Sequence, residues 1–374
     1  MEFIDLKAQY SYLKEMIDRN ISEVLNHTHF ISGEQVKIFE DKLAEYVGMK
    51  HTIACSDGTA ALQLIYMAYG IGRGDAVFCP DMTFVASVEP ACLLGAEAIF
   101  CDINSTSYNI CPESLERQIK AVIHEGKLTP KAVVAVDFLG NPADYAEINR
   151  IAKKYDIIVI EDAAQSMGAS INGTKCGSFG DIAATSFFPT KPLGCYGDGG
   201  AVFTNDDKIA EIVKSLSVHG KGSSKYDNIR IGMNSRLDTI QAAVLLAKME
   251  AFDNEIQKRQ EKANKYSEGL KNILVTPTVN PDRISSFAQY IVMAESREQR
   301  DKICSYLRNN DIPTLLYYPT PMHQLPVFSG CFLGEETFAN AIEYSDRAFG
   351  LPFTPYIKEE DQEKVINSIC HLLQ

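Results

Sequence analysis

The chain has 374 residues, 45% of them hydrophobic, and its 36 basic and 49 acidic residues give a net charge of −13. That much apolar sequence fills a large core, and the length suggests two domains, or a large one with a smaller companion. The acidic balance repels phosphate backbones and excludes nucleic acid as a general partner, while a locally positive pocket still allows an anionic small molecule.

In chain order, the N-terminus MEFIDLKAQY carries charge within its first five residues and lacks a long apolar segment. No signal peptide and a cytoplasmic location are expected. No window approaches the ~18 uncharged apolar residues of a membrane span, so no membrane partner is expected. SDGTAALQL (56–64) places Gly58 and Thr59 before a helix-forming run. Four apolar runs then end in acidic or small polar residues: DAVFCPD (75–81), AEAIFCDIN (96–104), KAVVAVDF (131–138) and DIIVIEDAAQS (156–166). They alternate with helix-periodic sequence at 113–125 and 143–155. Alternating strands and helices predict βαβ units, a mainly parallel sheet between helices, and ligands at the carboxyl ends of its strands. Residues 234–273 read as long helix joining a large domain to a smaller one. A strand at 287–294, an amphipathic helix at 297–312 and a last helix over EEDQEKVINSICHLL predict a small α+β domain. The expected division is a large domain over 1–245 and a small one over 246–374, with the first residues packing on the small one. The ten cysteines are scattered, several within apolar runs, and no CxxC occurs; they read as reduced core thiols. The histidines lack metal-site spacing, so no metal is expected.

Three residue groups carry candidate chemistry. Lys191 follows the apolar SFF, sits between Thr190 and Pro192, and precedes Gly194, Gly197, Gly199 and Gly200. A buried lysine amine loses its proton readily and can form an imine with a carbonyl. The plain alternative is a solvated turn lysine. Asp162 ends a strand, where it could pair with a protonated pyridine nitrogen, cap a helix, or serve as a Walker-type acid. The last needs GxxxxGK[ST], and the chain has none. Gly58 and Thr59 could form a phosphate cup at a helix N-terminus, or belong to an ordinary cap.

The order of these parts, with VIEDAAQS, SFFPTKPLGCYGDGGAVFTND and GMNSRLDTIQAAVLLAK, resembles the DegT/DnrJ/EryC1/StrS nucleotide-sugar aminotransferase family. The similarity runs from EFIDLKAQY to LPFTPY, and the lysine segment is most like that of enzymes aminating carbon 3 of UDP-linked 3-keto-N-acetylhexuronic acids. The resemblance implies a fold-type I α/β aminotransferase with a seven-stranded sheet, working as a homodimer with shared active sites. It implies pyridoxal phosphate, alternating with pyridoxamine phosphate, and transfer of the amino group from L-glutamate, leaving 2-oxoglutarate. The acceptor would be a UDP- or dTDP-linked keto sugar destined for a surface polysaccharide such as O-antigen. Lys191 would bind the cofactor's aldehyde and shuttle protons. Asp162 would meet the ring nitrogen, Gln165 the ring's 3-oxygen, and Phe84 the ring face. Gly58, Thr59 and Ser186 would hold the phosphate, and Asn234 would reach the phosphate in the neighbouring subunit.

For the substrate, Arg236 could clamp a carboxylate or be a surface arginine. The FISGEQV loop with Ile31 would wall the sugar site. Tyr317 and Tyr318 stand where many family members have His-Tyr, which removes a cation and leaves room for a neutral dTDP-linked 6-deoxy-3-keto sugar; His323 could compensate. Two other classes are weighed. Sugar dehydratases of this scaffold carry histidine in place of Lys191, and a non-catalytic sugar-nucleotide sensor would leave Lys191 and Asp162 without a task. No role beyond packing is expected for Cys195 and Tyr196.

Overall fold

The computed structural model describes residues 1–374 except Lys225, Glu335 and Gln374. Seven strands form its central sheet in the spatial order His51–Cys55, Gly200–Thr204, Ile182–Ser186, Ile158–Asp162, Thr129–Val136, Asp75–Pro80, Glu97–Cys101. Gly200–Thr204 runs antiparallel to both its neighbours, and the other pairs are parallel. The expected mainly parallel seven-stranded sheet is therefore present.

Side chains alternate across each strand, and that alternation builds two cores. Val77, Val134 and Ile160 point to the face covered by helices Gly58–Ala68 and Asp207–Leu216. Phe78, Val133 and Val159 point to the other, covered by Pro112–Glu125 and Tyr145–Tyr155. With both faces covered, the strands read as continuous apolar runs. The run at 156–166 is shorter as a strand than its composition suggests. After Asp162 the chain turns out of the sheet, the Ser166 amide bonding the Ala163 carbonyl.

The helix predicted over 234–273 is two helices, Thr239–Met249 and Phe252–Leu270. The ladder breaks at Glu250–Ala251, where the Ala251 amide bonds Lys248 O. The break aims Phe252 and Ile256 into the apolar group around Phe187 and Phe203. Beyond it, Tyr290–Met293 pairs antiparallel with Ala348–Leu351. Tyr266, Tyr290, Ile303, Phe349 and Ile369 form a separate core there. On these separate cores we propose two domains; the expected division at residues 245/246 falls inside helix Thr239–Met249, and Phe252 and Ile256 still belong to the first core. The N-terminal helix Leu6–His27 lies on Thr239–Met249, with Leu13 and Ile17 against Val244 and Ala247. Before it, Phe3 O accepts from the Phe353 amide.

Lys248 is buried in this arrangement. Its amine donates to Gly194 O at 2.5 Å and stands 4.5 Å from the centre of the Tyr196 ring. Burial lowers its pKa to about 8, while Glu255 pulls the other way. The unfolded chain keeps this proton up to the ordinary lysine value of 10.5, so between the two values the folded state binds fewer protons. The stabilisation from Lys248 should therefore grow as pH rises through that window. The stability gap between wild type and Lys248→Met, measured by urea denaturation, is expected to shift in favour of wild type by up to about 3 kcal/mol between neutral and alkaline pH. A gap that stays constant with pH would contradict the assignment.

Candidate active site

The strands Ile158–Asp162 and Ile182–Ser186 are parallel neighbours, with Asp162 opposite Ala184. Both chains therefore leave the sheet at the same edge, and Lys191 follows five residues after Ser186. A tight loop carries the lysine. The Lys191 amide bonds Phe188 O, and the Cys195 amide bonds Phe187 O, each at 2.8 Å. The Cys195 thiol donates to Phe187 O at 3.1 Å and to Gly197 O at 3.2 Å. The Tyr196 amide donates to Gln241 Oε1 at 2.8 Å. A Cβ on Gly194 would lie 2.5 Å from Pro189 O, so only glycine lets the loop close on itself. Cys195 and Tyr196 thus fasten the loop from behind, which their sequence positions did not reveal.

A cavity of ≈390 Å³ opens at this edge of the sheet. Gly58, Thr59, Phe84, Asp162, Gln165, Ser186, Lys191, Tyr317 and Tyr318 all line it. Asp162 is buried and accepts two hydrogen bonds, from Ser87 Oγ at 2.7 Å and from the Ala164 amide at 3.1 Å. Burial raises its carboxyl pKa, while Ser87, Ala164 and the charge of Lys191 pull it down. Burial also lowers the Lys191 pKa, opposed by Asp162. The amine is thus biased toward the neutral, nucleophilic form. Gln165 Oε1 accepts from the Leu139 amide at 2.7 Å, which leaves Nε2 as its donor beside the Tyr318 hydroxyl. The Phe84 and Tyr318 rings are 6.0 Å apart.

At the other end of the cavity, helix Gly58–Ala68 starts against the strand ends. Asp57 caps it, accepting from the Ala60 amide at 2.7 Å. A Cβ on Gly58 would lie 2.7 Å from Ser186 Cβ, and one on Gly200 would lie 2.4 Å from the Asp57 backbone. Two glycines therefore let the helix N-terminus come down onto the sheet, with its first amides facing the cavity.

Four residues expected at the site lie outside this cavity. Ile31 is 49% exposed and pairs in a bridge with Asp238. Arg236, half-buried, donates to the exposed Asn234 at Oδ1, 2.6 Å away. His323 is held elsewhere: its Nδ1 lies 2.6 Å from Asp81 Oδ2, its amide donates to Asp81 Oδ1 at 2.8 Å, and its ring stacks on Phe338. With its ring committed to a buried aspartate, His323 has no contact with the cavity in this chain. Ser87 was missed, although it stands in the same DMTFVAS segment as Phe84. Its position three residues after an expected ring-stacking aromatic is the only trace it leaves in sequence.

Among the described residues, Asp137, Glu161 and Cys176 bring possible metal-ligand atoms within 4.8 Å of one another. Their oxygens already serve the protein. Asp137 accepts from Ser166, Tyr145 and the Ala143 amide, and Glu161 from the amides of Gly177 and Phe179.

A profile of the DegT/DnrJ/EryC1/StrS aminotransferase family matches residues 11–370. The UDP-2-acetamido-2-deoxy-3-oxo-D-glucuronate aminotransferase of Pseudomonas aeruginosa is 46% identical over 329 residues, 87% of this chain and 88% of that protein. The crystal structure of a DegT DnrJ EryC1 StrS aminotransferase from Brucella abortus superposes with a TM-score of 0.98 at 43% identity, over 100% of this chain and 99% of that one. NtdA from Bacillus subtilis, solved with bound PMP cofactor, gives a TM-score of 0.89 at 27% identity, over 100% of this chain and 85% of that one.

The close seat of Gly58 on Ser186 makes a direct prediction. Gly58→Ala must push the helix N-terminus away from the strand end. The affinity of the apoenzyme for pyridoxal phosphate, titrated by absorbance, is expected to fall about ten-fold or more, with an unchanged circular dichroism spectrum. Unaltered affinity would mean that the phosphate does not use these amides.

Proposed function

The chain belongs to the DegT/DnrJ/EryC1/StrS aminotransferase family, and from that premise we propose that it moves the amino group of L-glutamate to the 3-keto carbon of a UDP-linked 2-acetamido-2-deoxy-3-keto-hexuronic acid. The observation that carries the reading is the meeting of Lys191, Asp162 and the Gly58 helix N-terminus in one cavity. These residues fit the cofactor. Lys191 offers an amine biased toward neutrality for the aldehyde. Asp162 offers a buried carboxylate without an ion-pair partner among the described residues, suited to a cationic ring nitrogen. Gly58, Thr59 and Ser186 offer amides and a hydroxyl for the phosphate.

Pyridoxal phosphate, when bound, supplies an aldehyde that takes up amines and a protonated ring that stores the electron pair left when a carbon loses its proton. The chain's residues then divide the remaining work. With the cofactor bound, the neutral Lys191 Nζ would be the base for the α-proton of glutamate and, as an ammonium, would be the acid that gives a proton back. For the keto sugar it moves the proton in the opposite direction. Asp162 holds the ring nitrogen's proton in place, and Ser87 and the Ala164 amide keep that carboxylate charged. Gln165 Nε2 would donate to the ring's 3-oxygen, and Phe84 would cover the ring face. Because both amine donor and keto sugar use one cofactor in turn, ping-pong kinetics follow.

We assign the face carrying Ile31, Asn234 and Arg236 to a homodimer contact. Its support is exposure: Ile229 is 57% and Ile231 90% exposed beside it, an apolar patch suited to a second copy of the chain. In such a dimer Asn234 and Arg236 would complete the neighbouring cavity, Arg236 facing the substrate carboxylate. A second reading has its own support. The wall formed by Tyr317 and Tyr318 carries no charge, which favours a neutral dTDP-linked 6-deoxy-3-keto sugar. We place the reaction in the cytoplasm, in the supply of amino sugar for a surface polysaccharide such as O-antigen. The ten free cysteines agree with a reducing compartment, and among the described residues no helix is long and apolar enough to cross a membrane.

Lys191→Ala is expected to abolish the visible absorbance of the bound cofactor and to lower turnover of glutamate with the keto sugar by at least about 10³-fold. Retained activity would overturn the assignment. A panel of UDP- and dTDP-linked keto sugars, with 2-oxoglutarate as the readout, decides between the two substrate readings. Shared sites have a separate test. Co-expressed Lys191→Ala and Asn234→Asp chains should recover about a quarter of wild-type sites, because each mixed dimer holds one intact site. No recovery would mean that each chain completes its own site.

A further inference from the structure

Gln289 stands one position before the strand Tyr290–Met293, and the chemistry described so far leaves it without a task. It is 7% exposed, and it lines the active cavity together with Gln165, Tyr317 and Tyr318. Its Oε1 is buried and, among the described residues, has no hydrogen-bond partner. Several polar groups around it are paired, while Asn141 Oδ1, which lines the small neighbouring cavity, is a second unpaired acceptor among the described residues. Gln165 Oε1 takes the Leu139 amide, Ser285 Oγ donates to Gly140 O at 2.9 Å, and Ser286 Oγ donates to Gln165 O at 2.7 Å. A buried acceptor that stays unpaired costs stability, and such groups cluster where a ligand completes them.

The chemistry of the orphan selects its partner. An acceptor oxygen needs an N–H or O–H donor. The carboxylates of glutamate are acceptors, its ammonium is committed to the cofactor's aldehyde, and the cofactor's phosphate is assigned to the helix N-terminus at the other end of the cavity. The keto sugar carries hydroxyls and an acetamido N–H. Each of these groups gives and accepts a hydrogen bond, as a carboxamide does. We propose that Gln289 is a specificity residue whose carboxamide hydrogen-bonds a hydroxyl or the acetamido group of the sugar ring. The proposal rests on the sugar-nucleotide reading above. It assigns to the small unit, whose strand follows Gln289, a share in choosing the sugar, while the sheet edge holds the cofactor.

A buried water is a rival partner. Gln289 also lines a second cavity of ≈20 Å³ with Tyr108, Phe138 and Phe287, large enough for a single water. A water there would satisfy Oε1 and make the residue structural.

Gln289→Met, near in shape and without the amide, separates the two. In the substrate-free holoenzyme the variant is expected to melt at the same temperature as wild type or higher, since it removes an unpaired buried acceptor. In stopped-flow single turnovers, conversion of L-glutamate to 2-oxoglutarate should keep its rate. With the UDP-linked 2-acetamido-3-keto sugar, kcat/KM should fall about five- to ten-fold, the effect of one hydrogen bond to an uncharged group. A loss confined to that substrate and absent with its 2-hydroxy counterpart assigns the bond to the acetamido group. An equal loss with both, at constant nucleotide, assigns it to a shared ring hydroxyl. A lower melting temperature with unchanged kcat/KM would overturn the proposal in favour of the buried water. Equal losses in both half-reactions would overturn it in favour of general packing. Wild-type enzyme that converts glutamate but aminates no keto sugar would overturn the substrate reading, and this proposal with it.

Discussion

Asp162 carries its carboxyl to a buried position, where desolvation opposes its charge. Ser87 and the Ala164 amide each donate to it, and they keep the ionised form within reach without cancelling its charge. Lys191 cannot serve as a full counter-ion, because burial draws its own amine toward neutrality. The pair is therefore strained in complementary senses: burial opposes the charge of the carboxylate and loosens the proton of the amine. A cofactor with a cationic ring and an electrophilic aldehyde relieves both at once. The rest of the cavity can be understood as holding that mismatch in place. Full ion pairing between Asp162 and Lys191 would stabilise the empty chain and remove both the nucleophile and the free carboxylate.

The sheet supplies the geometry. Parallel neighbours end at the same edge, so Asp162 and the Lys191 loop emerge side by side without any long-range contact having to bring them together. The helix N-terminus arrives from a more distant strand, and its approach depends on space rather than charge. Gly58 and Gly200 remove the two Cβ atoms that would keep the helix off the sheet. Behind the lysine loop, Lys248, Cys195 and Gln241 bind its carbonyls and amides, so a glycine-rich segment is fastened at several points. The glycines give the loop its shape, and these side chains hold it there.

How much of this was legible in sequence follows from where each residue's partners lie. Lys191, Asp162, Gly58 and Phe84 sit at strand ends or helix starts, positions that local pattern identifies, and all reach the cavity. The strand end at VIED offers two acids. Period-two alternation sends Asp162 to the cavity and Glu161 to the opposite face, where the amides of Gly177 and Phe179 occupy it. Ser87 was invisible because a serine's meaning comes from what it donates to, and Asp162 is 75 residues away. His323 failed for the same reason in reverse: its partner Asp81 is 242 residues distant, and pairing converts a candidate cation into a brace for the loop. The long helix was over-read because helix propensity runs straight through Glu250 and Ala251. Only the packing of Phe252 shows that the axis must change.

Ile31, Asn234 and Arg236 differ from those misreadings. None of them lines the cavity of its own chain, and Arg236 spends a hydrogen bond on Asn234. A half-buried arginine tied to an exposed asparagine by one neutral hydrogen bond is weakly held, so a second subunit could redirect both toward an anion at little cost. Lys191, Asp162 and Gly58 meet within one chain, on the rigid edge of the sheet. Residues that tell one sugar from another need not be so fixed. They can come from a neighbouring subunit's face, from the tyrosines at 317 and 318, or from an unpaired carboxamide such as that of Gln289. On this division the sheet edge can keep one chemistry while the walls around it change with the sugar.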